Sequence, residues 1–297
     1  MLINRQNLSN LFTGYKAAFQ AAFDGAPVDY DKVAMEVPST TSQEQYAWLG
    51  QTTQFREWVG DRFIQNARTY DYTIKNRTFE NTVSVEREAI EDDSYGVYAP
   101  LMSQLGMDAR QHPGLLVWDL VKNGFTQTGY DGQYFFDTDH PVLDANGAVT
   151  SVSNHGGGAG TAWYLFDTSR VVKPIILQRR KDYNFVSLDR ETDENVFMRK
   201  QYVYGTDARL NAGYGLWQLA YGSKQTLDAA GFGAAFAAMS SLKGDNAKPL
   251  GVRPTLLVVP PTLRDAALTV VSAQINAAGA TNINANAVDV LVTPWLA

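Results

Sequence analysis

Apolar residues between Tyr70 and Val85 fall largely on alternate positions (Tyr70, Tyr72, Ile74, then Phe79, Val83, Val85), with charged or amide residues between them. This is the pattern of strands with one wet face. The polar break Lys75-Asn76-Arg77 reads as a hairpin tip. After the acidic run from Glu86 to Asp93 the period changes to that of a helix from about Asp92 to Asn123. Val97, Tyr98, Leu101, Met102, Leu105, Ala109, Leu116 and Leu120 make its stripe, and His112-Pro113-Gly114 predicts a kink or two abutting helices. Glu91, Asp92 and Asp93 are placed to cap its amino end.

Elsewhere the same reading gives a terminal amphipathic helix with Leu8, Leu11, Phe12, Tyr15, Ala18, Phe19, Ala22 and Phe23 on one face, stopped by Asp24-Gly25-Ala26-Pro27. The stretch from 41 to 88 reads as extended, with Trp48, Phe55, Trp58 and Phe63 spread through a polar loop. Large apolar groups on a projecting segment call for a partner. Asp131-Gly132, Asn146-Gly147 and Gly156-Gly157-Gly158 mark hairpins and a flexible loop. From Trp163 to Tyr221 the pattern is mostly strand, including 171–177 and 197–204. The end alternates helix (227–242), buried strand (255–259), helix (263–277) and strand (288–293), an α/β unit.

Composition narrows the class. The 297 residues are 45% apolar and 12% aromatic, ample for a sizeable core. No window approaches the roughly 18 apolar residues that a membrane span needs, and no signal-peptide pattern opens the chain. The absence of cysteine excludes disulfides, thiolate zinc sites and a cysteine nucleophile. Charge is uneven: residues 1–162 carry 11 basic against 20 acidic side chains, residues 163–297 carry 14 against 11. Complementary halves suit pairing between copies, whereas a dedicated nucleic-acid binder would carry a clear basic stripe.

Candidate chemistry is thin. Asp137 and Asp139 beside His140 form the one cluster suited to a metal or to acid-base work, although Asp-Thr-Asp-His-Pro is equally a capped turn. The carboxylates Glu86, Glu88, Glu91, Asp92 and Asp93 suit either a cation or a helix cap. Gly156 to Thr161 lacks the lysine of a phosphate loop, and no Gly-x-Ser-x-Gly elbow occurs. Tyr202, Tyr204, Tyr214, Trp217 and Tyr221 read as core and sheet-pair residues rather than a stacking platform. The chain reads as one that acts through surface, without a catalytic site, cofactor or metal.

A projecting loop feeding a long helix resembles the major capsid proteins of tailed phages, the Hong Kong ninety-seven-type fold. The runs 135–142 (Phe-Phe-Asp-Thr-Asp-His-Pro-Val), 163–169 (Trp-Tyr-Leu-Phe-Asp-Thr-Ser), 195–200 and 211–223 are similar to the Mu-like prophage major head subunit family, a likeness running from 37–41 to 293–296. The resemblance implies an α+β tailed-phage major capsid fold: an N-terminal arm (1–40), an extended loop (41–90), a peripheral domain with a long spine helix (91–124 and 160–225) and an axial domain (125–159 and 226–297). It implies a subunit that assembles in the bacterial host cytoplasm into hexamers and pentamers of an icosahedral virion shell around double-stranded DNA. The expected partners are other copies, a separate scaffold, a portal and a decoration protein. Expected contacts between subunits are Phe12, Phe19, Trp48, Phe55, Arg56, Glu57, Trp58, Arg77 and Phe79. The alternatives are another virion component, such as a tail or decoration protein, or a metal-dependent enzyme using Asp137, Asp139 and His140.

Overall fold

A computed structural model of the chain describes residues 5–49, 71–92, 96–276 and 279–297. In chain order these form α1 (Arg5–Gly25), β1 (Ala34–Pro38), β2 (Gln43–Gln45), β3 (Thr73–Lys75), β4 (Arg77–Glu86), α2 (Arg87–Glu91), α3 (Ala99–Asn123), β5 (His140–Leu143), β6 (Val149–Val152), β7 (His155–Gly158) and β8 (Trp163–Phe166). There follow β9 (Ile175–Leu188), α4 (Glu194–Arg199), β10 (Gln201–Tyr214), β11 (Ala220–Lys224), α5 (Ala229–Ser240), β12 (Lys243–Gly244), β13 (Lys248–Pro249), β14 (Leu256–Val259), α6 (Arg264–Val271) and β15 (Asp289–Val292).

Two sheets carry the architecture. The first has the order β1-β9-β10-β4, parallel between β1 and β9 and antiparallel elsewhere. Its two 14-residue strands, β9 and β10, span roughly 45 Å at about 3.3 Å per residue. Along β10 burial alternates over 201–204 and 207–212: Tyr202, Tyr204, Leu210 and Ala212 are buried, while Val203, Arg209 and Asn211 are only half-buried. The buried face is covered by α1 and α3. The second sheet has the order β15-β14-β8-β11-β7. Leu256 to Val259 and Trp163 to Phe166 are buried throughout, as strands covered on both faces require.

The long helix differs from its sequence expectation at three points. It begins at Ala99 rather than near Asp92, with Pro100 in its first turn and no acidic residue there. Glu86 instead precedes the short α2 and Glu88 lies in its first turn, Glu91 and Asp92 stand at its end, and Asp93 lies outside the described residues. The helix continues through Pro113, which is buried. Its buried face is Met102, Leu105, Gly106, Ala109, Val117, Trp118 and Val121, while Val97 and Leu101 are exposed, so the apolar stripe is rotated from the predicted one.

Further corrections follow from strand pairing. Lys75-Asn76-Arg77 is not a hairpin tip: β3 pairs with β2 and β4 with β10, so the chain changes sheet at the buried Asn76. Residues 171–174 precede β9, and Phe197 lies in α4 rather than in a strand. Gly156 to Gly158 lie in β7, paired with β11. β8 and β11 belong to the sheet that holds β14 and β15.

Candidate functional site: the loop base and the docked arm

The two ends of the extended loop meet in the β2–β3 ribbon, and polar residues fix that ribbon to the first sheet. Gln178 follows the apolar run Ile175-Ile176-Leu177 of β9 and is fully buried. Its Oε1 accepts from Tyr46 Oη at 2.9 Å, and its Nε2 donates to Asn76 Oδ1 at 2.8 Å and to the Ile74 carbonyl at 3.1 Å. Asn76 passes the link on, donating through Nδ2 to Ser39 Oγ at 2.8 Å and to the Thr41 carbonyl at 2.9 Å. Burial, then the Glu44 charge, pushes the Tyr46 hydroxyl up to about 12, so it stays a donor.

Glu44 closes the turn before the ribbon. Its Oε1 accepts from the amides of Thr40 (2.8 Å) and Thr41 (3.1 Å) and from Ser39 Oγ (2.9 Å). The Thr40 amide, then the Ser39 hydroxyl and the Thr41 amide, lower its carboxyl to about 2. On the far side, Tyr72 Oη accepts from the Tyr214 amide at 2.7 Å. Beneath Ile74 lies Gly213, where an added Cβ would stand 2.4 Å from Ile74 Cδ1, so only glycine lets the ribbon sit this low.

The expected contact residues are spread unevenly over this frame. Trp48 is 38% exposed, edge-on to Tyr46. Phe55, Arg56, Glu57 and Trp58 lie outside the described residues. Phe79 is half-buried, packed edge-on to His112 of α3 with ring centroids 4.4 Å apart, and exposed Arg77 lies over the Phe79 ring. His112 Nδ1 accepts from Tyr183 Oη at 2.6 Å, tying the long helix to β9. Burial, then the Arg77 charge, lowers the His112 pKa and favours this neutral acceptor.

The arm helix is covered by its own body. Leu8, Tyr15 and Phe19 are buried, and Phe12 is half-buried against Phe185 with ring centroids 5.6 Å apart. Tyr15 meets Tyr204 edge-on, and Phe23 packs on Tyr183 beneath the Arg110 guanidinium. Gly106 makes the close approach: a Cβ there would lie 2.2 Å from the Phe19 carbonyl oxygen. Phe19 therefore serves the intrachain core in this conformation, where the arm reading expects a neighbour.

The Asp137, Asp139 and His140 cluster does not assemble as a reactive site. His140 is fully buried and stacked 3.9 Å from Trp217. Its Nδ1 meets Asp131 Oδ2 at 2.6 Å and its Nε2 meets Asn154 Oδ1 at 3.1 Å. Asn154 Nδ2 donates to the carbonyls of Phe135, Trp217 and Ala220, which fixes its amide orientation and makes His140 Nε2 a donor. Asp137 accepts from the Thr138 and Tyr134 amides; burial opposes its ionisation, but these bonds hold its carboxyl below the usual range. A hydrogen bond to Asp137 raises the exposed Asp139. Among the described residues no group of three or more metal-ligating side chains converges, and no helix is long and apolar enough to cross a membrane.

Asp131, Asn154 and Gln178 were missed in the sequence. A polar residue at the end of an apolar strand run was the available signal for Gln178; the partners of His140, 9 and 14 residues away, sit in turn-like segments whose pattern gave none.

A long two-stranded hairpin backed by a spine helix, a loop ribbon bonded to its base, and a second sheet with helices define a tailed-phage major capsid subunit. The family model for the Mu-like prophage major head subunit gpT matches residues 8–296. The major capsid protein of Escherichia phage Mu is 39% identical over 96% of this chain and 95% of its own length. The Mu-like prophage FluMu major head subunit of Haemophilus influenzae is 41% identical over 90% of this chain and 89% of its own. A chain of the bacteriophage JBD30 procapsid superposes with a TM-score of 0.89 at 47% identity, covering 99% of this chain and 100% of that one. A chain of the JBD30 capsid gives 0.80 at 34% identity, covering all of both. A chain of the JBD30 capsid decorated with minor capsid protein trimers gives 0.78 at 36% identity, covering 94% of this chain and 93% of that one. The chain belongs to the Mu-like prophage major head subunit family. Its function is that of a major capsid protein of a Mu-like phage, a structural part of the virion head that self-assembles, not an enzyme.

Proposed function

We propose that this subunit forms pentamers and hexamers of an icosahedral shell that encloses packaged double-stranded DNA without reading its sequence, and that it assembles in the host cytoplasm. The observation that carries the reading is the end-to-end likeness to procapsid and capsid chains, with almost no residues left over on either side. The loop is the reach: its base is fixed to the sheet by Gln178, Asn76 and Glu44, which supports a role in contacting a neighbour for the chain between β2 and β3. Many such contacts per subunit give a shell more avidity than any single interface has.

The division of labour follows the sheets. The arm and loop occupy about 1–40 and 41–76; the β1-β9-β10-β4 sheet with α3 is the peripheral unit; the β15-β14-β8-β11-β7 sheet with α5 and α6 is the axial unit, whose tips surround the fivefold and sixfold axes. The closer likeness to the procapsid chain than to the capsid chain supports a precursor form that repositions arm and loop during maturation while the packed core stays rigid. The expected partners are a separate scaffold and a portal, and a decorating minor protein like that named for the JBD30 capsid.

The test is to replace residues 51–69 by a short glycine-serine linker. The reading expects a folded subunit with unchanged thermal stability and no closed shells. A longer deletion to Phe79 is a different experiment, because it removes Asn76 and buried Ile74 from the core. Shells formed by the short-loop variant would overturn the role given to the loop.

A further inference from the structure

The chain has three histidines, and each stands in a different place: His140 in its buried clasp, His155 against Phe125, and His112 where α3 meets β4 and β9. Around His112 the rings form one continuous row. Phe79 of β4 and Tyr183 of β9 lie edge-on to the imidazole, with centroids 4.4 and 6.1 Å away, and Tyr183 meets Phe23 of the arm helix at 5.9 Å. Two guanidiniums end the row, Arg77 over Phe79 at 5.1 Å and Arg110 over Phe23 at 5.5 Å. One imidazole thus touches the strand that follows the loop directly, and the arm helix through a single ring.

The row holds His112 as a neutral ring. Burial keeps the Tyr183 hydroxyl protonated, so it donates and His112 Nδ1 accepts, at 2.6 Å. A proton on Nδ1 makes that atom a donor and takes from the buried Tyr183 hydroxyl the acceptor it now has, a costly exchange in a desolvated site. The charges around it are unfavourable or already engaged. β4 presents the cation Arg77 on this face, while Glu80 points to the opposite face by alternation. On β9, Lys181 is engaged with Asp207, and Asp182 with Arg179. On the arm helix Asp24 accepts from Gln20, and α3 itself adds Arg110. Among the described residues no carboxylate stands within ion-pair distance of the His112 ring to offset a positive charge there.

We infer that His112 is an acid-sensitive latch inside the subunit: neutral, it holds the end of the arm helix and the foot of β4 against α3, and protonated it releases both together. Because the docked form is the neutral one, its hold is present above the ordinary imidazole value of 6.5 and weakens as pH falls below it. The latch goes beyond the shell reading, because it works in a single subunit and gives the arm and the loop strand one shared trigger.

Hydrogen exchange of the full unassembled chain, corrected for intrinsic rates, reads the latch at about pH 8 and about pH 5. Amides of residues 19–25 and 77–80 are both expected to open at least about threefold more in acid, while those of the buried strand β14 stay unchanged. His112→Gln keeps an acceptor for Tyr183 without titrating, so it should abolish the response, and His155→Gln should preserve it. Arg77→Gln, at an exposed site, removes a repelling cation and should move the midpoint of release to higher pH. The His112 ring-proton resonance should titrate with the same midpoint as the exchange. Acid opening of full size in His112→Gln, opening of the arm or of β4 alone, or a midpoint that Arg77→Gln leaves in place would each overturn the inference and leave the shell reading intact.

Discussion

Replacing Gln178 by Met tests whether the loop base is a structural anchor. Methionine keeps the length and volume of the side chain but neither donates nor accepts strongly. In this fully buried position the Tyr46 hydroxyl and Asn76 Oδ1 would each lose the partner they now hold at 2.9 and 2.8 Å. A buried polar group left unsatisfied costs about 1–3 kcal/mol, so two cost roughly 2–6 kcal/mol, of which better apolar packing by methionine returns a part. A net loss of about 3 kcal/mol lowers the melting temperature of a chain this size by roughly 5 °C. The assay is thermal unfolding of the unassembled subunit, paired with hydrogen exchange at the Tyr46 and Asn76 amides, which bond to the Tyr72 and Ser42 carbonyls. Those amides should exchange about a hundredfold faster, the factor that corresponds to about 3 kcal/mol. A variant that melts within about 2 °C of the parent, with unchanged exchange at both amides, would refute the reasoning.

Gly106→Ala places a methyl against the Phe19 carbonyl and should cost about 1–3 kcal/mol, loosening the arm; faster proteolysis within residues 5–25 is the readout, and unaltered cleavage would contradict it. Gly213→Val should displace Ile74 and lower the melting temperature of the subunit while leaving the second sheet folded, which near-ultraviolet circular dichroism and fragment proteolysis can follow. Stability should fall in two stages on acidification. His112 favours its neutral form, so the folded state binds fewer protons than the unfolded chain and loses stability as pH drops below about 6.5. Glu44, held near 2, contributes stability that is present above about 4.5 and lost as pH falls toward 2. Urea midpoints measured from pH 8 to pH 3 check both; His112→Asn should shrink the upper stage without removing it, because burial lowers the His155 pKa as well, and should leave the lower stage unchanged.

What was legible in the sequence was periodicity. The arm helix and the long helix announced themselves by one apolar face, β10 by stretches of alternation and β8 by an uninterrupted apolar run. Helix ends were less legible: the acidic run 86–93 looked like a cap, yet α3 begins six residues beyond it, behind Pro100. Strand partners were not legible at all. Tyr72, Ile74 and Phe79 alternate as one hairpin would, but the chain changes sheet at Asn76, a decision made by Gln178 and Ser39, which are remote in sequence. Asp131 and Asn154 lie only 9 and 14 residues from His140, but no periodicity links them to it, so the three-residue cluster of neighbours looked more reactive than the buried clasp that forms. The assembly surfaces were legible mainly through family likeness. Phe197 and Met198 read as strand residues because only the folded chain shows that they are exposed.

The central claim is that this chain builds shells. Electron microscopy of the purified subunit across a range of salt, alone and co-expressed with its candidate scaffold, tests it most directly. The account predicts closed shells, with rings of five and six as their parts. A small, dispersed species in every condition would contradict it.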